Sequence, residues 1–171
     1  MILPFDELNI IDVTKSEDEI VDEVLDLLVE AYVKGFRKAC DDLGLLYYIY
    51  PIEQYRAIFK KIAGKTFEDS VKEYASKGDL AGIVKVGETG MVRVYNQAQL
   101  DVAARAGGNI KKTWVTMEDD RVRDTHRYLH GISVDVDKEF YTYDGDHAPA
   151  PGGFEKAENN VNCRCEIQLS Q

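Results

Sequence analysis

Apolar residues recur at three- and four-residue steps from Val21 through Val24, Leu25, Leu28, Tyr32, Phe36 and Ala39 to Leu43. That is the period of one buried helix face, and it predicts a single long amphipathic helix over 16–43. Ser16 followed by Glu19 has the form of a capping box, in which a hydroxyl and a carboxylate satisfy first-turn amides that lack helical partners. Glu17, Asp18 and Glu19 also suit the positive end of the helix dipole, and Gly44 offers a left-handed stop. A second helix is predicted from Pro51, a favoured first-turn residue, carrying Ile52, Tyr55, Ile58, Phe59 and Ile62. A third is predicted over 67–77, capped by Thr66 and ended by Gly78. A fourth should run from Asp79 to Ala106, with a break near Gly87 or Gly90 and an end at Gly107-Gly108.

After Gly108 the period shortens. Lys112 to Met117 reads as a strand, Glu118-Asp119-Asp120 as a charged turn and residues 122–130 as a short helix. Ile132 to Val136 and Phe140 to Tyr143 alternate like strands, and 144–153, with two of the four prolines, reads as a loop. Cys163 to Leu169 alternate again and would close the sheet. No internal repeat is present. The expected fold class is α+β: an N-terminal helical region of about four helices over 1–108, then a compact region over 109–171 with a small antiparallel sheet.

Composition narrows the function classes. The 171 residues carry 31 acidic and 21 basic side chains, a formal charge of −10. Residues 1–30 hold ten of the acidic residues and one basic residue, Lys15, so the remainder is nearly neutral. An acidic chain argues against a dominant phosphate-neutralising surface. Lys111, Lys112, Arg121, Arg123 and Arg127 could still form a local DNA-contacting patch, or simply be scattered solvated groups. The acidic face of the first helix is either solvated surface or a dock for a basic partner. Apolar runs fall far short of the ~20 residues that cross a bilayer, and the N-terminus lacks the zones of a signal peptide, so neither a membrane partner nor secretion is expected. Three cysteines, Cys40, Cys163 and Cys165, do not make a disulfide framework and suggest a reducing, cytosolic setting. Gly64-Lys65-Thr66 is not a phosphate loop, because no glycine stands five residues before Gly64 and no apolar strand precedes it.

The candidate chemistry gathers after Trp114: Asp120-Arg121-Val122-Arg123-Asp124-Thr125-His126, then Leu129-His130-Gly131, then Asn162-Cys163-Arg164-Cys165. His126 and His130, four apart, would share a helix face. His126, Cys163 and Cys165 could ligate zinc with a fourth donor from His130, His147 or Asp124. The same residues could equally be two buried thiols beside a hydrogen-bonded histidine. Asp120, Arg121, Arg123 and Asp124 could form a carboxylate–guanidinium brace. A catalytic reading would make His126 a general base with an arginine stabilising a developing anion, yet no nucleophile motif such as Gly-x-Ser-x-Gly accompanies it.

These residues carry a resemblance. Lys112-Thr113-Trp114-Val115-Thr116, Asp120-x-Arg-x-Arg-x-x-His126-x-x-Leu129-x-Gly131, Phe140, Ala148-Pro149-Ala150-Pro151-Gly152-Gly153 and Asn162-Cys163-Arg164-Cys165 together resemble the phage Mu F-like head-morphogenesis family of minor capsid proteins. Upstream, Glu88 and Tyr95-Asn96 look like a further family element, with Gly87 where relatives carry threonine. Many relatives have Cys-x2-Cys where this chain has Arg123 and His126, and a histidine or other residue just before the Asn-Cys-Arg-Cys where this chain has Asn160. The resemblance therefore implies at most three metal ligands here, His126, Cys163 and Cys165, or else the arginine–aspartate brace in place of a metal. It further implies a structural role in procapsid assembly at the portal vertex, with portal or capsid proteins as partners. It places the protein in the host cytoplasm during assembly and then in the virion head. The alternative from another class is a metal-dependent nuclease or toxin-like transferase carried by a head protein.

Overall fold

The structure is a computed structural model that describes residues 3–46, 56, 59 and 64–171. It is α+β, as expected, with the long helices first and short antiparallel strands after them. Helix α1 (Phe5–Leu8) precedes α2 (Glu17–Asp42), whose Ser16 and Glu19 form the reciprocal capping box. Every residue of the predicted stripe on α2 is buried except Phe36, which is partly so. The helix predicted from Pro51 lies outside the described residues except for Arg56 and Phe59, both helical. Phe59 is fully buried and meets Tyr32 edge-on at 5.3 Å.

Helix α3 (Gly64–Ser76) starts before Thr66, so Thr66 lies within the helix and does not cap it. Gly78, at φ 64°, ends the connection. Helix α4 (Leu80–Ala106) begins on the Asp79 side chain, which accepts from the Gly82 amide, and runs unbroken. The expected break is absent because its glycines admit neighbours: a Cβ at Gly87 would lie 2.6 Å from the Leu8 side chain, and one at Gly90 2.9 Å from that of Leu28. Helices α2 and α4 cross closely at Gly35, where a Cβ would fall 2.1 Å from the Tyr95 carbonyl oxygen.

Strand β1 (Lys111–Val115) is central, between β2 (Ser133–Asp135) and β5 (Glu166–Ser170), both antiparallel to it. Trp114 stands opposite Ile167, and Thr113 opposite Ser133 and Gln168. The helix predicted over 122–130 shrinks to α5 (Asp124–Arg127). Leu129 then enters the core, and Gly131, at φ 78°, turns the chain so that its amide reaches the Trp114 carbonyl. Strands β3 (Phe140–Tyr141) and β4 (His147–Ala148) pair as a small ribbon, so the segment expected to be a plain loop holds one strand. Helix α6 (Ala157–Asn160) precedes the final turn. Burial alternates from Cys163 through Leu169 as predicted, but ladder pairing starts only at Glu166, because β1 ends opposite it at Val115 and the chain beyond turns away, with Glu118 in a left-handed backbone.

One buried apolar cluster runs from Leu8 through α2 and α4 to Trp114, Phe140, Phe154 and Ile167. The C-terminal region is held against α4 at Asn96 and at Gly152. Asn96, wholly buried, donates from Nδ2 to the Cys165 carbonyl at 3.2 Å and accepts the Ile167 amide on Oδ1 at 3.0 Å. Gly152, at φ 86°, lets the preceding proline-rich segment lie on the helix, where a Cβ would stand 2.8 Å from the Arg93 Cα.

Candidate functional site

The site lies where the start of α5 meets the Asn162–Cys165 segment under Trp114. Arg123 has extended backbone, so α5 begins immediately after it and His126 points inward. His126 is 1% exposed, stacked on Phe154 at 5.4 Å and in T-shaped contact with Trp114 at 5.3 Å. Its Nδ1 lies 3.5 Å from both Cys163 Sγ and Cys165 Sγ. Both cysteines are buried, and all three cysteines of the chain are free thiols. The Cys165 hydrogen bond, followed by His126, holds the Cys163 thiol well below its ordinary range against the effect of burial. Cys165 is held far above it by the Cys163 hydrogen bond and by burial. The Trp114 indole N–H has no partner of normal hydrogen-bond geometry but lies near enough to Cys165 to favour its thiolate.

The predicted brace exists in a different form. Arg123 spans two backbone carbonyls, those of Glu158 and Val161, and so ties α5 to α6. The carboxylate–guanidinium pair is Arg164 with Asp119, at 2.7 Å. That bond holds the Asp119 carboxyl below its usual range. Asp120 and Asp124 are exposed and have no part in that pair, Asp124 lying instead 4.0 Å from Arg127, and Arg121 only approaches Asp119, at 3.9 Å. Glu88 on α4 is partly buried, and burial raises its carboxyl against the pull of Arg121 and Arg164.

His126 and His130 do not share a helix face, because α5 ends between them. His130 sits at the surface and accepts the Thr116 amide on Nδ1 at 3.1 Å. Among the described residues none of the proposed fourth donors joins the cluster of His126, Cys163 and Cys165; His147, for example, faces Glu139 at 2.7 Å. The basic patch is also broken. Lys112 is fully buried, donates to the Pro149 carbonyl at 2.7 Å and lies 5.4 Å from the Phe140 ring centre, and burial pushes its pKa down to about 8. Lys111 faces Asp135, and Arg123 is committed to carbonyls. No described helix is long and apolar enough to cross a membrane.

Sequence reasoning missed Asp146. This buried carboxylate accepts the amides of His147, Glu155 and Lys156 and the Asn159 side chain. Burial raises its pKa, but these donors together outweigh it and hold the carboxyl below the usual value. The only advance signal was an Asp-Gly-Asp turn, which specifies a bend and not its distant partners. The cavity beside the sulfurs, lined by Met117, Arg121, Arg123 and Asn162 among others, is about 10 Å³, roughly one water.

Residues 55–168 match the family model described as "Phage Mu protein F like protein". Among curated proteins, the chain is 44% identical over 72 residues to "NAD(+)--arginine ADP-ribosyltransferase EFV" of Enterococcus faecalis (strain ATCC 700802 / V583), covering 42% of this chain and 15% of that protein. It is 36% identical over 59 residues to "Minor head protein GP7" of Bacillus phage SPP1, covering 34% of this chain and 19% of that protein. The chain thus matches less than a fifth of the length of either relative. No solved structure matches it.

Proposed function

Since the chain belongs to the phage Mu protein F-like family, we propose that it is a structural module of phage head morphogenesis, a minor head component with no catalytic role of its own. Likeness to a minor head protein supports this reading, and one geometric observation carries its non-catalytic half. The groups that would have to converge on a substrate are turned inward or already engaged: His126 packs against two sulfurs, Arg123 holds two carbonyls and Arg164 holds Asp119. The space they leave is about 10 Å³. A general base needs hydrogen-bond reach to a substrate proton, and His126 has no such access.

Portal or capsid proteins are the partners this reading requires, with assembly in the host cytoplasm and residence in the head. The acidic face of α2 is the natural dock, although Lys72 pairs with Asp18, Arg56 with Asp26 and Lys15 with Glu23. Glu17 is exposed and outside those pairs, so reversing it perturbs docking without breaking an internal bridge. The tagged chain should co-sediment with purified procapsids in a gradient and cross-link to the portal protein, and Glu17→Lys should reduce that cross-linking. Heads that lack the chain and assemble normally without it would refute the structural role. Cross-links confined to the major capsid protein would refute the portal location alone.

The name of the Enterococcus relative raises a second reading, ADP-ribose transfer. Turnover of NAD+ by the purified chain, abolished by His126→Ala, would establish it in place of the first.

A further inference from the structure

Three buried side chains, His126, Cys163 and Cys165, place potential ligand atoms within 4.8 Å of one another. Nδ1 of His126 is 3.5 Å from each sulfur. An imidazole nitrogen carries either one in-plane lone pair or one N–H, so it can direct a good hydrogen bond at one sulfur but not at two. Equal separation is instead what a shared central ion produces. With metal–sulfur and metal–nitrogen bonds of about 2.3 and about 2.05 Å, a tetrahedron sets the nitrogen–sulfur edge at about 3.6 Å.

We propose that His126 Nδ1, Cys163 Sγ and Cys165 Sγ form a binding site for a divalent transition metal, zinc best matching two thiolates and an imidazole. The site is built from the start of α5 and from alternate residues before β5, so both packing and the period-two backbone aim the donors at one point. A zinc ion with two thiolates and a neutral imidazole is uncharged overall, which suits a buried position. The fourth corner faces the cavity of about 10 Å³, enough for one water. Among the described residues no further His, Cys, Asp or Glu reaches it, so water completes the shell. This inference is independent of the head-assembly reading, since a metal can lock the tail of a structural module or of any other protein.

The test uses the full chain purified under reducing conditions. Expected are close to one zinc per chain as isolated and, after metal removal, uptake of one cobalt with tetrahedral visible absorption and a thiolate charge-transfer band that added zinc abolishes. His126→Cys retains a soft ligand and should raise the charge-transfer intensity about 1.5-fold, from two thiolates to three. The double variant Cys163→Ser, Cys165→Ser should lose the band, whereas Cys40→Ser should keep it. Wild-type protein with native circular dichroism that takes up no tetrahedral cobalt would overturn the proposal without recourse to any variant. So would a band that survives the double substitution.

Discussion

Replacing Asn96 by Asp changes one atom type at the joint between α4 and β5. Asn96 Nδ2 donates to the carbonyls of Val92 and Cys165, and its Oδ1 accepts from the Ile167 amide and Gln99. Asn96→Asp keeps the acceptor and turns the donor into a second acceptor, facing two carbonyl oxygens in a wholly buried position. An unpaired buried polar group costs about 1–3 kcal/mol, and ionising the carboxyl there costs more. A loss of roughly 3 kcal/mol at neutral pH follows, a large share of the 5–15 kcal/mol typical of a domain. The carboxyl can avoid ionisation by keeping its proton, which also restores a donor. Its folded pKa must then lie above the unfolded value of about 3.9, and between the two the native state holds a proton the unfolded chain has lost. Stability of the variant relative to wild type should therefore fall as pH rises through that window, by up to about 1.4 kcal/mol per pH unit. Urea unfolding of both proteins at several pH values from about 4.5 to 7.5 measures the difference directly. A deficit that stays constant across the series, or stays under about 1 kcal/mol at neutrality, would refute the claim that this amide is the fully desolvated joint.

Two further predictions concern the same region. Arg123→Lys should cost about 2 kcal/mol, close to Arg123→Met, because a single ammonium cannot span the Glu158 and Val161 carbonyls as the guanidinium fork does. Hydrogen exchange should quicken over Ala157–Asn160, and protection equal to wild type in the lysine variant would disprove the bridging role. Lys112 titrates near 8 in the fold against about 10.5 when unfolded. Between those values the unfolded chain holds a proton the native state has released, so Lys112 should make stability rise with pH by up to about 3 kcal/mol. Lys112→Met should remove that rise in urea midpoints compared at pH values of about 8 and 10, and identical pH profiles for the two proteins would contradict it.

Local signals made the helices legible. The capping box at Ser16 and Glu19, the stripe from Val21 to Leu43 and the stop at Gly78 all report on neighbours within one or two turns. Gly87 and Gly90 misled because a glycine inside a helix marks flexibility and close packing alike, and only the side chains of Leu8 and Leu28 distinguish them. The grouping of His126 with the two cysteines could be suggested from residue types, but the identity of its bracing partners could not. Arg123 chose backbone carbonyls, which leave no mark in a sequence, and Asp119 rather than Asp120 met Arg164. Lys112 read as surface charge because residue type says outside, whereas its place on β1, opposite Leu169 and two before Trp114, says inside.

The rim of β5 that faces away from β1 is filled by side chains of α2 and α4. Its Ile167 amide is taken by Asn96, its Leu169 amide by Asp42, and its Ile167 carbonyl by Lys38. Side chains from two helices thus perform the task that another strand would otherwise perform. A sheet margin occupied in this way offers no template for a foreign strand. The molecule is therefore protected along that side from growing into a mixed sheet with any neighbour. Any contact formed at that margin runs through side chains and can be released without unzipping a ladder.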